Sequence, residues 1–286
     1  MESEYFQHAK PSLGERIFKL SSIACEIGQE LLRPEGFVMS DLDSESYSPL
    51  ALARMLGILA LTGIVCGAFD IGCVRNTLIV DGDAAATLHN IMAHETLFRA
   101  GFAAHLVLLL CNVPNEIIGF ILFRRVNVVI AAVSMGCGLV GTAIESIDML
   151  NAYVPLKLAM EGGALSAFSA QQLQTLSYVS VQLQDTGLLI SFLFYGIDEL
   201  LFGCLIFRSN FLPRIVGVLL SLSGLCYFTD GFVSFIAPKL HAQLLPYLLF
   251  PCLPGEGLCA LWFAIKGLNV EKWRAWGEGM RLAPSR

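Results

Sequence analysis

Nine carboxylates, Asp70, Glu116, Glu145, Asp148, Asp185, Asp198, Glu199, Asp230 and Glu256, stand inside long apolar stretches of this 286-residue chain, with no lysine at comparable depth. A charged, unpaired acid costs at least about 2.5 kcal/mol at the centre of a bilayer. Such groups turn away from lipid and toward one another. Acids gathered without cations cannot all be ionised, and a carboxylic acid that keeps its proton in an apolar cavity is a competent general acid. His105, inside one of these stretches, adds a base.

Helical spacing sorts the polar residues into stripes. His105, Asn112 and Glu116 are seven and four apart and share one face. Ser134, Gly138, Gly141, Glu145 and Asp148 form a second stripe, whose small residues let a neighbouring helix approach. Tyr227, Asp230 and Ser234 form a third. Tyr195 and Asp198 share a face, and Glu199 points about 100° away, extending the row of Asp185, Phe192 and Tyr195. Pro246, Pro251 and Pro254 are expected to interrupt the last apolar stretch just before Glu256.

The elements that carry these residues follow from composition. The chain is 55% hydrophobic and 15% charged, with a mean hydropathy of +0.66, and that places it among integral membrane proteins. A net charge of -6 leaves no basic footprint for nucleic acid, and no zinc spacing, Walker loop or dinucleotide fingerprint occurs. Windows of about 20 apolar residues define six spans, at 50–74, 99–123, 127–153, 177–206, 212–236 and 241–266. The expected fold is an all-α membrane bundle of six transmembrane helices over 49–268.

Residues 1–48 form an extension whose Leu13, Ile17, Leu20, Ala24, Ile27 and Leu31 make one face of an amphipathic helix. Residues 40–48 are an acidic linker, and 269–286 a tail. The opening Met1-Glu2-Ser3-Glu4 is unlike a signal peptide. Fourteen of the 18 Lys and Arg residues fall on the side that holds both termini, which makes that side cytoplasmic, in the endoplasmic reticulum or a bacterial inner membrane. Eight of nine cysteines lie in the apolar runs, where they act as small hydrophobes and not as a disulfide framework.

Two long loops are expected to cover the non-cytoplasmic mouth. Residues 75–98 hold the turn Asp81-Gly82-Asp83 and a short helix with His89 and His94, which lack a third ligand at metal spacing. Residues 155–175 hold Ser169, an N-cap for the fourth span. Asp70 is expected to pair with Arg75, and Glu95 with Arg99 across one helical turn.

Leu78-Ile79-Val80-Asp81-Gly82-Asp83-Ala84-Ala85-Ala86-Thr87, Glu95-Thr96-Leu97-Phe98-Arg99, Leu165-Ser166-Ala167-Phe168-Ser169, Phe207-Arg208-Ser209-Asn210-Phe211-Leu212-Pro213-Arg214 and Gly255-Glu256 together resemble an uncharacterised bacterial family of six-span membrane proteins known as a domain of unknown function. The resemblance covers about 50–268 and implies the fold without an activity. The chain departs from that pattern at Asp198-Glu199, Asp185, His105 and Asn112, a rearranged set of ionisable residues. In size and character the chain also resembles, more loosely, the membrane-bound terpene cyclases of fungal meroterpenoid pathways.

The function favoured at this level is a metal-independent terpene cyclase with no cofactor, acting on a lipophilic prenylated substrate dissolved in membrane lipid. Such chemistry needs an acid, an apolar pocket, aromatic faces for the carbocation and a terminal base. Asp230, Glu116 or Asp198 would initiate and Glu145 or His105 would terminate, with Asp185 and Glu199 in the same catalytic set. Phe192, Tyr195, Tyr227 and Phe228 would line the pocket. A magnesium-dependent prenyltransferase lacks its paired aspartate-rich motifs here. The alternatives are a proton-coupled carrier using the same acids as a relay and a non-catalytic scaffold. The oligomeric state is left open.

Overall fold

The computed structural model describes residues 47–160 and 167–281. The amphipathic pattern of the first 46 residues and the Leu165-Ser166 pair lie outside that range. The regular structure of the described residues is helical throughout: α1 Pro49–Leu78, α2 Ala84–Ala93, α3 Glu95–Phe123, α4 Val128–Met160, α5 Ala170–Arg208, α6 Arg214–Ile236, α7 Pro238–Ile265 and α8 Val270–Arg281. Among the described residues, α1, α3, α4, α5 and α6 are long and apolar enough to cross a membrane. The remaining expected span is α7, a helix of 28 residues that runs on through Pro254 without a break. A proline removes its own N–H bond and crowds the carbonyl four residues before it, costs that a helix packed on its neighbours absorbs.

Helix ends carry their chemistry in the sequence. Ser48 accepts from Ala51 N ahead of Pro49, Asp83 caps α2 through Ala86 N, and Ser169 forms a capping box with Gln172. Gly82 (φ 78°) turns the chain into α2, and Gly267 (φ 65°) ends α7. Two boundaries differ from the sequence reading. Helix α4 continues through Pro155 to Met160, held by the buried Ala152 and Leu156, so the second loop is shorter than expected. The first span reaches Leu78, passing through a π-helix at Ala68–Arg75.

The six long helices close into a ring. Helix α1 packs on α3 and α7, and the remaining contacts run α3 to α4, α4 to α5, α5 to α6 and α6 to α7. Short connections make each consecutive pair antiparallel. The ring is drawn tight by glycines seven apart on facing helices: a Cβ on Gly203 would meet Gly217 O at 2.6 Å, and one on Gly196 would meet Gly224 O at 2.7 Å. At this spacing α5 and α6 touch backbone to backbone.

The two ends of the ring differ. At the end where α1 begins and α7 finishes, here the proximal end, the largest hydrophobic cluster fills the interior, with Leu56, Leu122, Phe123, Ile206, Phe211 and Phe263 at its heart. Helix α8 is pinned beneath it: Trp273 Nε1 donates to Leu122 O (2.9 Å) and Trp276 Nε1 to Arg125 O (3.0 Å), while the Arg125 guanidinium stacks 3.9 Å from the Trp273 ring. Trp273→Phe keeps most of this packing and leaves a buried carbonyl short of its donor. The expected cost is about 1 kcal/mol, read as a lower Tm in detergent micelles.

At the distal end, α2 folds over the ring and packs on α4 and α5. Ile91 joins Val74 and Leu78 in a small core, Asn90 donates to Leu78 O, and the Tyr178 hydroxyl accepts from Gly82 N (2.7 Å). His89 and His94 lie in and just after this cover helix.

Candidate functional site

The polar side chains meet inside the ring, and α5 is their hub. Its acids reach helices that do not pack along it: Asp185 to Arg75 of α1, Asp198 to Glu116 of α3, and Glu199 to Glu256 of α7. Contacts of this kind cross the lumen of a ring and not its wall.

The most fully bonded group joins four helices in the distal half. His105, 2% exposed, turns Nδ1 to Asp70 Oδ2 (2.8 Å) and Nε2 to Glu145 Oε1 (3.0 Å). The Tyr195 hydroxyl donates to the other Glu145 oxygen (2.7 Å), with Thr142 Oγ1 at 3.2 Å and Asn112 Nδ2 donating to it at 3.4 Å. Each N···O contact needs one hydrogen, so Asp70, His105 and Glu145 hold two protons between them. Whether the ring is an imidazolium or one carboxyl is protonated, the trio carries a net charge of -1. A proton can therefore change places within it without a change of charge. Because the imidazole points its nitrogens in opposite directions at different carboxylates, it aims no free lone pair at a common ligand point.

Asp70 joins this group because of the π-helix. In a regular α-helix Asp70 and Arg75 would point about 140° apart, but i→i+5 winding brings positions five apart nearly into line. Both therefore face inward. The Asp70–Arg75 pairing expected from the sequence is replaced: Asp70 bonds His105, and Arg75 bonds Asp185 across the mouth. Asp148 lies nearby and accepts from Asn151 (2.7 Å).

A second group sits deeper. The Glu116 and Asp198 carboxyls face each other, and Ser134 Oγ donates to Asp198. A third holds Glu199, Glu256, Tyr227 and Ser223. Asp230 stands apart from all three and bonds His241 Nε2 at 2.8 Å. The small residues of the α4 stripe serve side chains and not only backbones: a Cβ on Gly138 would fall 2.3 Å from Glu116 Cδ, and one on Gly141 would fall 2.9 Å from Tyr195. Gly101 seats Asp70 in the same way.

Two spaces that share lining residues lie near Asp70. A chamber of about 20 Å³, room for one water, is lined by Asp70, Arg75, Phe98, Phe102, Met149 and Gln184 among others. A cleft of about 350 Å³ between α3 and α4 shares Phe98 and Phe102 with it and adds Arg99, Tyr153 and Leu156. Phe102 and Tyr153 pack with ring centroids 5.3 Å apart. Arg99 is held by Glu95 (2.7 Å), the pairing expected from the sequence.

The aromatic residues chosen from the sequence lie elsewhere. Phe192 packs on Tyr227 (4.8 Å) and Phe228 on Phe232 (5.7 Å), while Tyr195 belongs to the histidine group. Sequence reasoning missed Asp70 as a site residue and Phe98, Phe102 and Tyr153 as a lining. A signal for the lining existed: Phe98, Phe102 and His105 are spaced four and three and form one stripe. All eight cysteines in the described residues are free.

A family described as a domain of unknown function, DUF4386, matches residues 55–267. The chain belongs to the DUF4386 family. The match covers nearly the stretch that the sequence resemblance delimits. An uncharacterised protein of Archaeoglobus fulgidus is 30% identical over 83 residues, which are 29% of this chain and 48% of that relative. The aligned part thus spans about half the length of that relative. No solved structure matches the chain. Neither match is to a terpene cyclase.

Proposed function

We propose that this DUF4386 protein is a membrane-embedded acid–base enzyme that isomerises a lipophilic prenylated substrate by proton-initiated cyclisation. The bundle crosses the membrane six times, with α7 as the sixth span and both termini in the cytoplasm. The observation that carries this reading is the Asp70–His105–Glu145–Tyr195 group at the edge of an aromatic cleft. The proximal half beyond the acids is sealed by hydrophobic packing. A blind-ended site suits a catalyst that takes its substrate from the bilayer and returns it there.

In this reaction Asp70, which lines the chamber, delivers a proton to a terminal alkene or epoxide. A C–H bond forms from the alkene π bond, or an O–H bond forms as the epoxide C–O bond opens. A second alkene of the chain then gives its π electrons to the cationic carbon, closing a C–C bond and moving the charge to a ring carbon held against the faces of Phe98, Phe102 and Tyr153. Loss of a proton from a neighbouring carbon returns it to the carboxylate, and His105 and Glu145 redistribute the charge. Substrate and product have the same mass. The initiating role moves from Asp230, Glu116 or Asp198 to Asp70, because those acids bond partners away from the cleft.

A carrier is the second reading, favoured by the further titratable pairs Glu116–Asp198 and Glu199–Glu256. To decide, cells making the chain are fed linear prenylated phenols and their terminal epoxides, and extracts are searched for an isomer of unchanged mass. An isomer that disappears with Asp70→Asn and persists with Asp230→Asn supports the enzyme. Folded protein, untouched substrates and proton flux in proteoliposomes would establish the carrier instead.

A further inference from the structure

The group between α5, α6 and α7 has an imbalance that neighbouring side chains do not correct. Glu199 and Glu256 face each other across the ring, Tyr227 lies against Glu256, and Ser223 stands beside both. Yet Glu199 Oε2, Glu256 Oε1 and Ser223 Oγ, though within side-chain reach of one another, are buried without a hydrogen bond of good geometry. Ser223 itself is 0% exposed. Three orphaned oxygens in one place are unusual, since each buried polar atom without a partner costs about 1–3 kcal/mol.

A shared proton accounts for only part of this. Two carboxyls in contact need one proton between them, and that proton engages one oxygen of each. With one proton shared, the pair keeps a net charge of -1, and the second oxygen of each acid and the serine hydroxyl remain. A water would supply hydrogen bonds and no charge. A hard monovalent cation supplies the charge and binds several oxygens at once. The site is also held shut, because a Cβ on Gly255 would lie 2.9 Å from Ser223 Cβ, so α7 presses directly on α6 beside Glu256.

We propose that Glu199, Glu256, Ser223 and Tyr227 form a buried site for a monovalent alkali cation of the sodium class, tying α7 to α5 and α6. The site is separate from the histidine group, and the proposal does not depend on the reaction assigned there. Bound only by the folded ring, the ion stabilises it by mass action.

The test is thermal unfolding of the purified full chain in detergent with NaCl, KCl or choline chloride at equal ionic strength. The expected result is a Tm that climbs with Na⁺, by roughly 5–10 °C at a hundredfold excess over Kd, with saturable ²²Na⁺ binding to the wild type. Glu256→Gln and Ser223→Ala should each flatten the Na⁺ dependence while Asp230→Asn leaves it intact. Equal effects of Na⁺ and choline, no saturable ²²Na⁺ binding, a Na⁺ effect that survives Glu256→Gln and Ser223→Ala, or stabilisation by Ca²⁺ in place of Na⁺ would each overturn the assignment. The binding measurement uses the wild type, so a variant that fails to fold does not shield the proposal.

Discussion

His105→Ala should be the most damaging single change in the lumen. It removes both N···O contacts at once and leaves Asp70 and Glu145, each 6% exposed, facing an empty space with no donor between them. Breaking a buried charged pair by deleting one partner costs about 3–5 kcal/mol, and here one deletion takes the imidazole from two acids, of which Glu145 keeps only Tyr195. Tm should fall steeply, and the isomerase activity proposed above should be lost with it. Glu145→Gln alone should cost less, because an amide still accepts from Tyr195. A double-mutant cycle of these two changes should be strongly non-additive, and simple addition of their effects would mean that the imidazole does not couple the acids.

Gly57→Ala carries the second large effect, through backbone alone. The added methyl would stand 2.2 Å from Ala264 N and 2.6 Å from Ala260 O, atoms that move only if α1 and α7 part. Overpacking of this kind costs about 1–3 kcal/mol or more, and it falls where the ring closes. Gly63→Ala is the control on the same helix, with nothing nearer than 3.8 Å. There the methyl should be neutral or stabilise by up to about 1 kcal/mol through helix propensity. Unfolding of the two variants side by side in the same detergent checks both, and equal Tm values would show that α1 and α7 do not meet as described.

Five of the six expected spans were legible because a bilayer demands about 20 apolar residues from each, and the cap at Ser169 because a side-chain oxygen at a helix start accepts from the free N–H groups there. That the acids turn inward was legible too. Their partners were not. A stripe on one helix tells which side faces the lumen, but Glu116 finds Asp198, and Glu199 finds Glu256, only once the ring order is known. Asp70 was assigned to Arg75 because the two are close in sequence. The π-helical winding that separates their partners leaves no periodic trace in the sequence. The aromatic lining was sought where aromatic residues are dense, on α5 and α6, whereas the cleft opens between α3 and α4.

Ring closure also sets an order of events during synthesis. Chains emerge from the N-terminus, so α1 is delivered first and α7 last, and the groove at Gly57 has no occupant until α7 arrives. Until then Glu199 also lacks the carboxyl it will face. A nascent bundle of five helices therefore presents lipid with a bare backbone seam and an uncompensated acid, faults that the arrival of α7 repairs together. A chain truncated before Pro238 is therefore expected to be degraded faster than the full chain in a pulse-chase measurement, and equal half-lives would show that the bundle does not need α7 to close.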